Sequence, residues 1–293
     1  MNFMIENMKD LKMSDRDDLV QSFAEEDRDT CSKNVLTSLF PNTYLQSDST
    51  SITKGDETCS PVACSSTDRI ASVLSDSTIS IIDKSSLTPN HKFKPHRKRI
   101  TKTEFSADSN TLYSCSLDGT IKLTDIRTGK SELTFSDADA PKPFTTLSVS
   151  PGERLLCAGT ELIGEDVFLL FYDLRSRKLS GGYWESHSND VTHVAFNPTH
   201  PNLLASSAMD GLLNVFDVSQ PSEDVALTYC LNAGEDLFHF SWLAESKSEI
   251  LGYTDYGLQM WNTEGAAPTM SFARGEFPEE YIIFNLCVNI VAR

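Results

Sequence analysis

This sequence is short of positive charge, of paired cysteines and of long apolar runs, and each shortage excludes something. Lysine and arginine total 25 against 42 aspartate and glutamate, a formal net charge of −17 over 293 residues. So acidic a surface is repelled by nucleic-acid phosphates and anionic lipid, which argues against general binding to either. The longest apolar stretch, Tyr281 to Val291, is interrupted by Asn285 and Asn289. It has about half the length of a bilayer crossing. The N-terminus, MNFMIENMKDLKMSDRDD, carries acids where a signal peptide needs a basic start and an apolar run, and is too acidic for a transit peptide. Cys31, Cys59, Cys64, Cys115, Cys157, Cys230 and Cys287 show no CxxC spacing. Scattered reduced thiols of this kind point to an intracellular protein, cytoplasmic, nuclear or both.

Catalytic signatures are lacking too. There is no GxSxG elbow, no HExxH zinc helix and no GxxxxGK[ST] phosphate loop. His187, Asp190, His193 and His200 fall close together, but His193 sits in strand alternation, His200 lies in a Pro-flanked loop and His187 belongs to a repeat. A zinc site needs converging ligands, which that arrangement does not provide. No enzyme activity, metal or cofactor is expected.

What is present is a repeat. Leu-Asp-Gly-Thr-Ile-Lys-Leu-Thr-Asp, residues 117–125, places Asp118 in a turn and Asp125 seven positions on. The same interval recurs at Asp76/Asp83, Asp166/Asp173, Asp210/Asp217 and Asp255/Asn262. The second members are spaced 42, 48, 44 and 45 residues apart. Between them the residues alternate or run apolar, as in Leu213-Asn214-Val215-Phe216, which is strand patterning bounded by turns. Two units share an upstream half. His187-x3-Val191-x2-Val194-x-Phe196 leads to Ser206 and the Asp210 turn, and His96-x3-Ile100-x2-Thr103-x-Phe105 leads to Ser114 and the Asp118 turn.

These units resemble the WD-repeat family, whose repeats of about 40–45 residues each build a four-stranded propeller blade. The resemblance covers roughly residues 58–275 and implies an all-β fold with about five recognisable units. It also implies a structural role for a loop histidine, a second-strand serine, a turn aspartate and a third-strand tryptophan, joined by buried hydrogen bonds. The matching residues are His187, Ser206 and Asp210, and His96, Ser114 and Asp118. The tryptophan position holds Ile82, Thr124, Tyr172, Phe216 and Trp261 in turn, so no unit has the complete set. Modest stability follows, with apolar packing carrying most of the fold. The family's longer members close a ring of seven blades, so the chain reads as a shortened form with an incomplete ring. Tyr281-Ile282-Ile283-Phe284 is then expected to cap the open edge or to aggregate.

The flanks differ in character. Residues 1–57 hold twelve acids and six bases among many Ser and Thr, and read as an acidic polar segment, partly disordered. Ser14-x-x-Asp17 before Leu19, Val20 and Phe23 offers a helix start. Residues 276–293 form an irregular tail.

As function, the resemblance implies a scaffold for protein–protein interactions. Within so acidic a chain, the basic run from His91 to Arg99 stands apart. Arg97, Lys98 and Arg99 read either as a contact for an acidic partner or nuclear import factor, or as a solvated loop paired with the acidic insertion Glu161–Asp166. Thr124-Asp125-Ile126-Arg127 and Tyr172-Asp173-Leu174-Arg175 resemble the WDxR boxes with which some WD-repeat proteins dock on the adaptor of cullin-RING ubiquitin ligases. That makes Arg127 and Arg175 candidate partner-binding residues, although neither box has the tryptophan.

Overall fold

Runs of five or six residues rich in Ile, Leu, Val, Phe, Ser and Ala, punctuated by Asp-containing turns, form antiparallel hairpins one after another. The computed structural model describes residues 59–64, 68–136, 141–243, 248–265 and 267–273. The expected helix after Ser14, the segment 1–57, the strand at Tyr281–Phe284 and the tail 276–293 lie outside them. The first sheet comprises β1 (Cys59–Cys64), β2 (Arg69–Leu74), β3 (Ile79–Asp83) and β4 (Pro89–Phe93), in that order. The second is β5 (Ile100–Phe105), β6 (Thr111–Ser116), β7 (Thr120–Asp125) and β8 (Ser131–Ser136). The third is β9 (Phe144–Val149), β10 (Leu155–Thr160), β11 (Leu169–Asp173) and β12 (Lys178–Tyr183). The fourth is β13 (Val191–Phe196), β14 (Leu203–Ala208), β15 (Leu212–Asp217) and β16 (Leu227–Asn232), with the single helical turn α1 (Glu223–Ala226) before β16. The fifth is β17 (Leu237–Trp242), β18 (Glu249–Thr254), β19 (Gly257–Asn262) and β20 (Met270–Ala273).

The first strands pack in series: β1 on β5, β5 on β9, β9 on β13 and β13 on β17. Among the described residues the five sheets do not close into a ring. The radial gradient of burial explains the residue types. The second strands of the three inner sheets are covered on both faces by neighbouring sheets, so β6, β10 and β14 are buried from their second residue onward. Their sequences, TLYSCS, LLCAGT and LLASSA, use small side chains where two sheets press from either side. The fourth strands β4, β8 and β12 are largely exposed, with only Phe135 and Tyr183 among their described residues buried in the seams.

Apolar clusters fill the seams between sheets. Phe171, Tyr183, Val191, Val194, Phe196 and Phe216 join the third sheet to the fourth. Phe240, Trp242, Trp261, Leu213 and Val215 join the fourth to the fifth. Each such side chain contributes about 1.5–3 kcal/mol when fully buried. The seams also carry a repeated hydrogen bond. Thr101 Oγ1 donates to the Phe144 carbonyl at 2.8 Å, Thr145 Oγ1 to the Val191 carbonyl at 2.6 Å and Thr192 Oγ1 to the Leu237 carbonyl at 2.5 Å. In each case the second residue of a first strand bonds to the first residue of the next sheet's first strand. The corresponding residue of the fifth sheet is Phe238, which is exposed.

Candidate interaction surfaces

The two histidine units fold as small polar clamps. In the second sheet the His96 ring, buried in the loop between β4 and β5, lies with Nδ1 3.1 Å from Asp118 Oδ2 and Nε2 2.9 Å from Ser114 Oγ. Asp118 accepts from the amides of Arg97 and Thr120 at 3.0 Å each. Glycine at 119 suits this Asp-Gly turn, where φ is +78°. The fourth sheet repeats the arrangement. His187 Nδ1 is 3.1 Å from Asp210 Oδ2, Nε2 is 2.7 Å from Ser206 Oγ, and Asp210 accepts from the amides of Ser188 and Leu212.

Electrostatics follow the geometry. Burial pushes the Asp118 carboxyl upward, but the Thr120 hydroxyl, the Arg97 amide and His96 outweigh it and hold it below the usual value. At Asp210 burial also raises the carboxyl, and the bond and charge of His187 bring it down. His96 is lowered, because burial disfavours its charged form more than Asp118 favours it. Each clamp thus consumes its own aspartate and fixes the loop that enters its sheet.

The other repeat aspartates are not built into clamps. Asp76 is exposed and accepts from the amide and hydroxyl of Thr78. No histidine precedes His91 in the chain, and Ser72, at the clamp serine's position, has a buried hydroxyl without a partner among the described residues. Asp166 lies in the loop between β10 and β11, bridged to Ile163, and Thr160 Oγ1 takes the Phe168 amide instead. Asp255 is exposed in the turn before β19. In the fifth sheet Trp261 is fully buried, yet its Nε1 has no partner among the described residues. Gly252 stands where Ser114 and Ser206 stand in the clamped sheets, and it has no hydroxyl to offer; the Trp261 ring packs against it instead.

The second members share one task. Asp83, Asp125, Asp173, Asp217 and Asn262 accept from backbone amides two or three residues on, fixing the turn between third and fourth strands. Arg127 and Arg175 follow two residues after Asp125 and Asp173 and are exposed. They occupy equivalent turns of consecutive sheets. Strand alternation places Arg97, Lys98 and Arg99 on the opposite face, beside the turn of Asp118. All three are exposed. The acidic insertion lies on that same face, but among the described residues no ion pair joins it to the basic run. It is tied instead to the next sheet, through the Leu162 amide and Asp190 Oδ1 at 2.7 Å.

Of the described cysteines, Cys115 and Cys157 are buried and Cys230 is exposed on β16. His200 bonds Thr199, and among the described residues no three His, Cys, Asp or Glu are placed to hold a metal. Burial pushes the Cys115 thiol up to about 12 and raises that of Cys157, so neither is a nucleophile near neutral pH. Among the described residues no helix is long and apolar enough to cross a membrane. One pair escaped the sequence reading. His193 on β13 stacks on His239 of β17 with centroids 3.9 Å apart. Only the position of both residues on first strands of adjacent repeats hints at that contact.

Four-stranded meanders set side by side through their first strands, with loop clamps of His, Asp and Ser, are propeller blades. The WD domain, G-beta repeat family matches residues 87–125 and 180–217, the segments that contain much of the two clamped units. The chain carries WD40 repeats. It is similar to the WD repeat-containing protein 89 homolog of Dictyostelium discoideum, 32% identical over 184 residues, covering 62% of this chain and 48% of that protein. It is also similar to the ribosome biogenesis protein YTM1 of Laccaria bicolor, 28% identical over 59% of this chain and 37% of the relative. DNA damage-binding protein CMR1 of Chaetomium globosum is 28% identical over 56% of this chain and 32% of its own length. The chain spans about half or less of the length of these relatives.

Proposed function

We propose that the chain is a non-catalytic scaffold that mediates protein–protein interactions in the cytoplasm, the nucleus or both. The observation that carries this is the pair of loop clamps. Each spends a buried histidine and an aspartate on holding a loop still, which leaves exposed side chains such as Arg97, Lys98 and Arg99 on a fixed frame. The relatives named for ribosome biogenesis and for DNA damage binding support the reading and the location. The repeat region 58–275 is the working part, with the acidic segment 1–57 and the tail 276–293 as its flanks. Crosslinking followed by affinity recovery is the test. A reproducible set of specific partners is expected, and recovery of chaperones alone would overturn the proposal.

A second reading is a substrate receptor that docks on the adaptor of a cullin-RING ligase. The equivalent, exposed placement of Arg127 and Arg175 on consecutive blades favours it. Arginine suits bidentate contact with partner carboxylates. Changing both to alanine should abolish adaptor co-purification while partners of the opposite face remain; undiminished adaptor recovery sinks this reading.

A further inference from the structure

Between the third and fourth sheets runs a groove of about 1070 Å³. Its floor is apolar, formed by Leu155, Phe171, Tyr183 and Val218, and one side is the strand β12. β12 is the last strand of its sheet, so one edge of its backbone is unpaired among the described residues. We propose that this groove binds an extended segment of a partner protein, alternately apolar and basic, which adds to the free edge of β12. The proposal rests on the scaffold reading and names a surface and a partner chemistry for it.

Four observations converge. The groove is built in advance, because the Glu223 carboxylate reaches across it to accept from the amides of Trp184 and Glu185, at 2.8 and 2.9 Å, and from the Ser186 hydroxyl. That bond set ties the α1 loop of the fourth sheet to the chain leaving β12. Trp184, held by its amide, leaves its side chain 55% exposed at the groove, whereas Trp242 and Trp261 are buried. An exposed indole with apolar floor residues beside it is a ready anchor for an apolar or cationic side chain.

The third observation is Gly181. Its backbone is not in the left-handed region, and a Cβ there would meet nothing within 4 Å. No internal packing therefore requires glycine, while its bareness lets a second backbone approach the edge of β12. The fourth is charge. Glu185 and Asp224 are exposed on the rim, and Arg154, the only cation lining the groove among the described residues, lies beside Asp173, whose carboxyl is lowered first by the Ser176 amide and least by Arg154. An added strand presents alternate side chains to opposite faces, so apolar residues meet the floor while lysine or arginine meets the rim carboxylates.

The test uses the full chain and two synthetic nine-residue peptides, one alternating valine with lysine and one alternating valine with glutamate. Binding is followed by fluorescence, since Trp184 is the exposed indole among three tryptophans. The valine–lysine peptide should shift the emission to the blue and saturate, and the valine–glutamate peptide should bind at least about tenfold more weakly. Gly181→Gln fills the groove without an internal clash and should weaken binding about tenfold or more with unchanged circular dichroism. The double change Glu185→Gln, Asp224→Asn should weaken it without steric block. Trp184→Phe should remove the emission shift.

Absence of binding, equal binding of the acidic peptide, or undiminished binding to Gly181→Gln would each overturn the proposal. The last would mean that lysine merely adheres to a chain of net charge −17. Sedimentation adds one more outcome. Self-association abolished by Gly181→Gln, with no peptide binding, would make a second copy the occupant and overturn the proposal as stated. None of these results bears on whether specific partners are recovered by crosslinking, so the scaffold reading fails or stands separately.

Discussion

His193 and His239 lie face to face across the seam between the fourth and fifth blades, with ring centroids 3.9 Å apart and planes 26° from parallel. Phe240 packs edge-on against His193, and Tyr253 against His239. His193 is held neutral, well below the ordinary imidazole value, by burial first and then by His239 and Lys102. Charge on both rings would set two like charges face to face.

Stability should therefore fall on mild acidification. An unfolded His193 takes up a proton at the ordinary value near 6.5, while the folded one refuses it, so the folded state loses ground as pH drops from about 7 towards 5. His96 is lowered too and adds to the same window. Asp118 and Asp210, both lowered, act only further down, where stability is lost as pH falls below the ordinary carboxylate range. Thermal melting at pH 7.5 and 5.5 checks this. His193→Phe should narrow the difference between the two, and an unchanged difference would refute the assignment.

The clamps should be worth more than the unclamped turns. His187→Ala leaves Ser206 and Asp210 without their buried partner and should cost about 1–3 kcal/mol in urea denaturation. Asp76→Ala removes only an exposed carboxylate that serves its own turn, and should change the midpoint little. Equal losses at the two sites would show that the clamp has no special role.

Two tryptophans allow a controlled comparison. Trp242 Nε1 donates to the Ala195 carbonyl at 3.0 Å across the seam, whereas Trp261 Nε1 is buried without a partner among the described residues. Replacing either by phenylalanine removes similar volume, but only Trp242→Phe also breaks a bond. It should be the more destabilising by about 1 kcal/mol. A larger loss at Trp261 would mean that its indole nitrogen is satisfied after all.

Thr145→Val keeps the shape of the side chain and deletes the hydroxyl that reaches Val191. A loss of about 1 kcal/mol is expected. In hydrogen exchange, amides along β9 and β13 should lose protection before those of β14. Unaltered exchange at this seam would argue that apolar packing alone joins the blades.

The architecture was legible because two signals reinforce each other. Asp–x6–Asp marks both turns of each central hairpin, and the turn role is a local hydrogen-bonding property that Asp125 or Asp217 expresses without help from distant chain. His96 and His187 were legible for a different reason, since the spacing to Ser and Asp is fixed by the strands between. Asp166 fits the same interval, yet the eight residues between β10 and β11 carry it into a loop and Thr160 does its work. Spacing counts residues but does not see where a turn widens. The groove beside Trp184 was not legible, and the His193–His239 stack was hinted at only by the place of both residues on first strands of adjacent repeats. Both depend on which faces of separate blades meet, and that is settled by packing rather than by any pattern within one repeat.

Three threonine hydroxyls at the seams donate from the earlier blade to a carbonyl of the later, while the Val194 and Phe196 amides and the Trp242 indole donate back the other way. Each hydroxyl also has a substitute at home, in the carbonyls of Cys115 and Gly159 for Thr101 and Thr145, and in Ser207 Oγ for Thr192. When such a seam opens, from whichever side, the hydroxyl is taken up within its own blade and the carbonyl of the later blade turns to water. Each opened seam therefore costs less than its hydroxyl bond suggests, because a replacement acceptor is already within reach, like a spare hook beside the one in use.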